Sequence, residues 1–471
     1  SHDKQRQRNH MKEHCKFIIL GAGPTGLGAA HRWVEAVSDE CLILEATNAP
    51  GGLASSFVDE KGFTWDLGSH LQFSHYAYYD QVLDAALPPE EWNLHERSTW
   101  VWINDNFIPY PFQLNLHHLT PQQTWACVNG LLTRPCSADS SKHFAAWCNS
   151  VFGPAITELF MRPYNEKIWQ CRLEEMGVSW VSERVATPRL EEILQSICLK
   201  SNPAAWGPNA SFRYPKNGGS GRVWTAIAAR LPRTCQRYNR AVVRIDADHK
   251  TVFTSTGDEI EYDCLLSTMP LPVLFRLLGY PAAMNEVLQL RSTCTHVIGI
   301  GLSGKAPEAL EPQCWSYFPQ ADIPFYRLTV LSNLSKGCVP DAEANWSLMA
   351  EVAEPCESVL GTEFLIQSIV SKLDSLGLID QQNVISRWHR KLPFGYPVPT
   401  ISRDSILRRV LRALETQQIY SRGRFGAWLY EISNQDHSFM QGVELVNRLR
   451  GVGDETTLQS ALRERDLQLN S

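Results

Sequence analysis

The chain has 471 residues, of which 44% are hydrophobic and 20% charged, with a net charge of −6. That length suits about three domain-sized units, and the composition excludes disordered and fibrous classes. The charge argues against a nucleic-acid partner, and no apolar run approaches the roughly 18 residues of a membrane span. Residues 1–10 are polar and basic and read as a leftover tag or loose arm, with Met11 the expected native start. Thirteen cysteines stand singly, odd in number and without a C-x-x-C pair. Neither a disulfide framework nor a zinc site is expected from them, and a reducing, cytoplasmic setting fits the usage.

In chain order, residues 16–20 form a short apolar run bounded by glycine, the mark of a buried parallel strand. A crossover helix over 26–37 and a second buried strand over 41–44 follow. From Tyr76 to about Lys200 the pattern is mostly helical, broken by a hairpin over 99–108 that turns at Asn104-Asp105. Residues 241–266 read as several short strands turning at Asp248 and Gly257. Between His296 and Val352, alternating runs predict an antiparallel sheet. Amphipathic helices are expected over 402–416 and 438–449, and the last twenty residues read as a frayed tail.

Gly21-Ala22-Gly23-Pro24-Thr25-Gly26 is a G-x-G-x-x-G. It follows a buried strand, opens a helix, and is followed by Glu45 at the end of the second strand. This context makes it a dinucleotide fingerprint: glycines admit the pyrophosphate to the backbone, the helix N-terminus favours its charge, and the carboxylate meets ribose hydroxyls. A second glycine pair, Gly51-Gly52, with Leu53 and Ser55 after it, tilts the cofactor from NAD toward FAD. Flavoproteins of the amine-oxidase type place such a doublet beside the cofactor phosphates.

The sequence from Asp66 through Gly68-Ser69-His70 to Tyr76 resembles the histidine loop of eukaryotic-type UDP-galactopyranose mutases. So do Pro109 to Gln113, Phe160 to Asn165, Trp169, Glu183 to Ala186, Trp206 to Asn209, Cys314 to Pro319 and Pro324 to Arg327. Gly395 to Pro397, Gly423 to Gly426 and Tyr430 to Phe439 complete the series. These motifs run in order over nearly the whole chain. The resemblance implies an α/β fold: a Rossmann-like FAD-binding domain with an inserted helical domain and an antiparallel-sheet substrate domain. The expected boundaries are 14–75, 205–270 and 415–450 for the FAD domain, 76–204 for the helical one and 271–414 for the sheet domain, with 451–471 a tail.

The implied reaction interconverts UDP-galactopyranose and UDP-galactofuranose through a covalent adduct at N5 of reduced FAD, without net redox change. Arg184 and Arg327 match the arginines on the diphosphate side, where a rigid guanidinium fork suits a leaving diphosphate. Arg424 and His70 complete the catalytic set, His70 lying against the flavin. Tyr317, Tyr396 and Tyr430 match hydroxyl donors to the same phosphates. Tyr110, Phe112, Gln113 and Trp169 match the uridine side, and Asn165 and Asn209 match positions near nucleotide and sugar. Asn434, Gln435 and Ser438 match the segment meeting flavin and its ribityl chain. Arg97 and Thr99 match the place where eukaryotic members hold NADPH, which makes NADPH the expected reductant. No metal is expected.

Three departures stand out. Ser69 replaces the second glycine of Gly-Gly-His, and a Cβ there is expected to bias the loop. Leu429 stands where arginine is expected. The link between Asn333 and Trp346 is short, so an oligomer is possible but a tetramer is doubtful. The first two leave room for another nucleotide sugar. An FAD-dependent oxidase is the rival from another class.

Overall fold

The computed structural model describes residues 13–38, 40–135, 142–203, 207, 210–280, 285–358 and 361–462. The strand Glu13–Leu20 lies between Cys41–Leu44 and Glu259–Ser267, all three parallel. Gln236–Arg237 and Ile419–Ser421 extend the parallel set, and Val242–Asp246 and Thr251–Thr254 join it antiparallel. Alternate residues of the central strand face opposite layers, as the period of a strand requires. Phe17 and Ile19 pack with Leu27, Trp224 and Phe439, whereas Ile18 and Leu20 pack with Leu271, Leu274 and Leu407. Burial on both faces explains why 17–20 reads as an unbroken apolar run.

A second seven-stranded sheet is built around three long strands, Ser292–Ser303, Asn345–Pro355 and Val384–Pro397. Beyond Asn345–Pro355 it continues through Arg327–Thr329 and Trp315–Tyr317 to the hairpin Thr99–Ile103 and Asn106–Pro109. The helix Thr362–Ser375 covers one face through Leu365, Ile369 and Leu373. A third body of helices, including Pro121–Leu132, Phe144–Ile156, Arg162–Trp169 and Leu190–Leu199, shares a core around Phe112, Phe160 and Trp169.

The structure redraws several expectations. The hairpin expected inside the helical stretch 76–204 pairs in parallel with Trp315–Tyr317, because its partner lies two hundred residues on. The helices Leu271–Leu278 and Arg403–Glu415, expected with the antiparallel sheet, pack against the parallel one. The expected tail contains the helix Thr456–Leu462. Its first turn is held by Glu444, which accepts from the Thr457 backbone at 2.9 Å and from the hydroxyls of Thr456 and Thr457.

Candidate active site

The carboxyl ends of four parallel strands open onto one cavity of about 530 Å³. Gly21, Gly23 and Thr25 follow the first strand, Glu45 the second, Thr268 the strand Glu259–Ser267, and Gly423 and Arg424 the strand Ile419–Ser421. Ligands of open α/β sheets bind at such an edge. The antiparallel sheet supplies the facing wall with Thr295, Trp315, Tyr317, Arg327, Glu351 and Tyr396, and Arg97, Tyr110, Glu183 and Arg184 close the side.

The dinucleotide side is built for close backbone approach. The loop after Glu13–Leu20 enters the helix Pro24–Ala36 directly, with Pro24 at its first turn. Gly52 packs against Gly23, where a Cβ on Gly52 would stand 3.2 Å from the Gly23 Cα and narrow the cradle. Glu45 lines the cavity while accepting from the Ala22 backbone at 2.8 Å and from Thr47. Gly51, Ser55 and Gly26 lie one layer behind the lining residues; Gly51 donates to the Ala22 carbonyl at 2.9 Å, which fixes the doublet to the first loop.

Three residues of the cavity wall carry polar atoms without partners. Ser69 Oγ, His70 Nδ1 and Thr295 Oγ1 are buried and make no hydrogen bond, although all three residues line it. Buried polar groups of this kind are ordinarily satisfied. Their presence beside a glycine-lined cradle fits a flat ligand with polar edges, as a flavin has. Burial, and then the charges of Arg424 and Arg327, push the His70 pKa down to about 3, so the ring is neutral at physiological pH. The positive φ of this loop belongs to Gly68, at +137°, and not to Ser69. The strain expected at Ser69 is therefore absent: the glycine that remains occupies the position that needs one.

Besides Arg97, three arginines line the cavity. Arg327 is clamped by Glu351, its Nη2 donating to Oε1 at 2.6 Å and its Nε to Oε2 at 2.5 Å. Burial opposes the Arg327 charge, but Glu351 more than offsets it and holds the group above its ordinary range. Arg184 donates to Asn434 Oδ1 at 2.8 Å and to the Glu431 carbonyl at 2.7 Å. Arg424 donates to the Gly395 carbonyl at 2.9 Å and lies over the rings of Tyr396 and Tyr430. Among the described residues neither Arg184 nor Arg424 has a carboxylate partner. Burial pulls the Arg424 pKa below its usual value, the cost of a charge left without a counter-ion.

Tyr110, Tyr317, Tyr396 and Tyr430 also line the cavity, as do Asn434, Gln435, Ser438, Leu53 and Gly68. The Gln435 side chain is held from elsewhere: its oxygen accepts from Gln72 and Trp224, and its nitrogen donates to the Leu71 carbonyl. Phe112, Gln113, Asn165 and Trp169 stand behind the wall rather than in it. Gln113 donates to the Ala186 carbonyl at 2.7 Å and so ties down the segment carrying Arg184; Asn165 accepts from Trp169 Nε1 and donates to the Met161 carbonyl. Trp169 packs edge-on against Tyr430 and Tyr396. Arg97 lines the cavity 5.5 Å from the Tyr110 ring centre, whereas Thr99 is buried beside it with its hydroxyl unpaired. Asn209 lies outside the described residues. Leu429 is buried in the core beneath Tyr430, next to Trp428, whose positive φ of 58° is unusual for so large a residue.

Glu351 escaped the sequence reading. Its signal was a carboxylate among Leu348, Met349, Ala350 and Val352, all apolar and buried, which requires a buried cationic partner.

Residues 24–293 match the family model of flavin-containing amine oxidoreductases. A crystal structure of reduced UDP-galactopyranose mutase superposes with a TM-score of 0.91 and 41% identity, over 95% of this chain and 96% of that one. The chain belongs to the UDP-galactopyranose mutase family, within the flavin-containing amine oxidoreductases. More distant structures share the fold alone. A putative protoporphyrinogen oxidase from an Exiguobacterium species gives a TM-score of 0.68 at 18% identity over 90% and 98% of the two chains. Cyclohexylamine oxidase from Brevibacterium oxydans gives 0.62 at 14% over 93% and 99%. No helix among the described residues is long and apolar enough to cross a membrane.

Proposed function

We propose that the protein is an isomerase that interconverts UDP-galactopyranose and UDP-galactofuranose with bound, reduced FAD. The carrying observation is a set of guanidiniums around one cavity: Arg184 and Arg424 line it with no ion-paired carboxylate among the described residues, beside Arg327. A diphosphate is the ligand chemistry that such a set meets, and the amine or porphyrin substrates of an oxidase have no use for it. The sugar and base come from the 41% identical mutase.

Reduced flavin, when bound, supplies an electron-rich N5 toward the anomeric carbon, so that turnover needs no net oxidation. The protein's share is positioning and charge. Gly21, Gly23 and the N-terminus of Pro24–Ala36 hold the cofactor diphosphate, with Glu45, Gly52 and Leu53 along the dinucleotide. Ser69, neutral His70 and Thr295 meet the flavin's polar edge. Arg184, Arg327 and Arg424 neutralise the charge that develops on the leaving diphosphate, and Tyr317, Tyr396 and Tyr430 offer it hydroxyl donors. Tyr110 gives the base an aromatic face, backed by Phe112, Gln113, Asn165 and Trp169. Arg97 and Thr99 receive NADPH as reductant.

A binding titration tests the diphosphate reading. UDP should bind much more tightly than uridine, and Arg184→Ala should weaken UDP by about 10- to 100-fold, the worth of one charged hydrogen bond. Equal affinities for UDP and uridine would remove the diphosphate from the site.

A further inference from the structure

Beside Arg184, at the rim of the cavity, side chains from three distant segments converge. His75 follows the His70 loop, Glu183 precedes Arg184, and His437 lies in the first turn of the helix Gln435–Leu449. One ligating atom from each lies within 4.8 Å of the other two. Asp436, with a side chain 1% exposed, accepts from His75 Nδ1 at 2.7 Å and from the His75 backbone at 3.1 Å. A proton fixed on Nδ1 leaves the Nε2 lone pair facing Glu183 Oε1, 3.3 Å away. Two lone pairs at that distance repel unless a proton or a cation stands between them. The His437 ring lies 4.7 Å from that of His75, centre to centre, and is tilted against it by 31°. Its Nδ1 lies 3.4 Å from Asp436 Oδ1, and both atoms are buried without a hydrogen bond.

We propose that His75, Glu183 and His437 bind a divalent transition metal of the zinc type, with Asp436 orienting His75 from behind. Two imidazoles and a carboxylate form a tetrahedral set with one position open, and ligands about 2.0–2.1 Å from zinc lie roughly 3.3 Å apart. The His75–Glu183 separation already has that value. The pairing of Asp436 with His75 is the carboxylate–histidine–metal arrangement that fixes a tautomer and raises ligand basicity. Imidazoles select against calcium and magnesium, which take oxygen ligands. The facing charges are Asp436 and Glu183 against Arg184, a net negative surround for a dication. Spacing conceals the site in the sequence, and cysteine usage pointed away from zinc because these ligands are not thiolates. A bound ion would join the Arg184 segment to the helix N-terminus and the His70 loop. That consequence rests on the proposed function; the binding site does not.

Flavin-loaded protein is titrated with Zn²⁺ against a chromophoric chelator, and separately with Co²⁺ by visible absorption. The expected result is one tight zinc per chain and a tetrahedral Co²⁺ band beyond the flavin absorption, without a near-ultraviolet thiolate band. Glu183 is 42% exposed, so Glu183→Gln leaves the fold undisturbed and should abolish the band. Asp436→Asn should weaken zinc roughly 10- to 100-fold, as other outer-shell changes do. Zinc binding unchanged in Glu183→Gln, a thiolate band, or no zinc bound in the micromolar range would each overturn the proposal, whatever the mutase assays show.

Discussion

Asp66 shows how a residue of the histidine loop serves the fold before it serves the site. Its carboxyl is fully buried and accepts from Ser56 Oγ at 2.6 Å, Tyr214 Oη at 2.7 Å and the Ser220 backbone at 3.0 Å. Burial outweighs these donors and pushes its pKa up to about 6. The folded protein thus keeps a proton that the unfolded chain loses near pH 4, so this group's contribution to stability falls as pH rises from about 4 to 6. Asp66→Asn should gain on the parent across that window, by about 3 kcal/mol at most, and stay level above it. Denaturant unfolding at stepped pH measures the difference; a pH-independent gap would refute the assignment. Glu351 makes a second case. It is the counter-charge of Arg327, so Glu351→Gln should lower the melting temperature, and UDP should raise it more in the variant than in the parent because the anion takes over the counter-charge. An equal UDP shift in both would mean that Arg327 does not meet the diphosphate. Glu351 was hidden in the sequence because its partner lies on another strand, whereas Arg327 was legible through its motif. Ser69 taught the converse: the motif located the loop, but only the backbone shows that Gly68 holds the left-handed position.

Among the elements, the fingerprint helix Pro24–Ala36 and the helix Gln435–Leu449 are pressed together through glycine. A Cβ on Gly442 would lie 2.1 Å from the Thr25 carbonyl oxygen, and one on Gly28 would lie 2.2 Å from that of Phe439. This contact sets the helix carrying Asn434 and Gln435 against the dinucleotide loop. Gly442→Ala should therefore cost about 1–3 kcal/mol by overpacking and release flavin more readily on dilution. Parental stability and flavin retention would show that the helices can separate without consequence. The strands 41–44 and 242–267 and the helix Arg403–Glu415 were readable because local periodicity decides them. The seating of the hairpin Thr99–Ile103 and Asn106–Pro109 was not, because a strand's partner leaves no local trace. The helix Thr456–Leu462 was missed for a related reason. Its polar sequence is held by Glu444, and the residue before it, Glu455, pairs with Arg422 and Arg448.

At the scale of the molecule, the fold is shared with oxidases of low identity. The cradle was legible from one glycine fingerprint in its strand–helix context. The arginine set was legible only through ordered motifs, because Arg184, Arg327 and Arg424 come from three separate bodies and meet only in the folded chain. The proposed function predicts a protein that needs an electron-rich flavin yet consumes no reductant in stoichiometric amounts. Arg424→Ala should lower turnover by about 10²–10³, the usual loss for one charge-stabilising donor, and a rate within twofold of the parent would take it out of the site. The most direct measurement incubates dithionite-reduced, FAD-loaded protein with UDP-galactofuranose without oxygen and separates the products by chromatography. The reduced protein should form UDP-galactopyranose catalytically, and the oxidised protein should form none. Equal conversion by oxidised protein, or no conversion with peroxide released from an amine substrate in air, would contradict the proposed function.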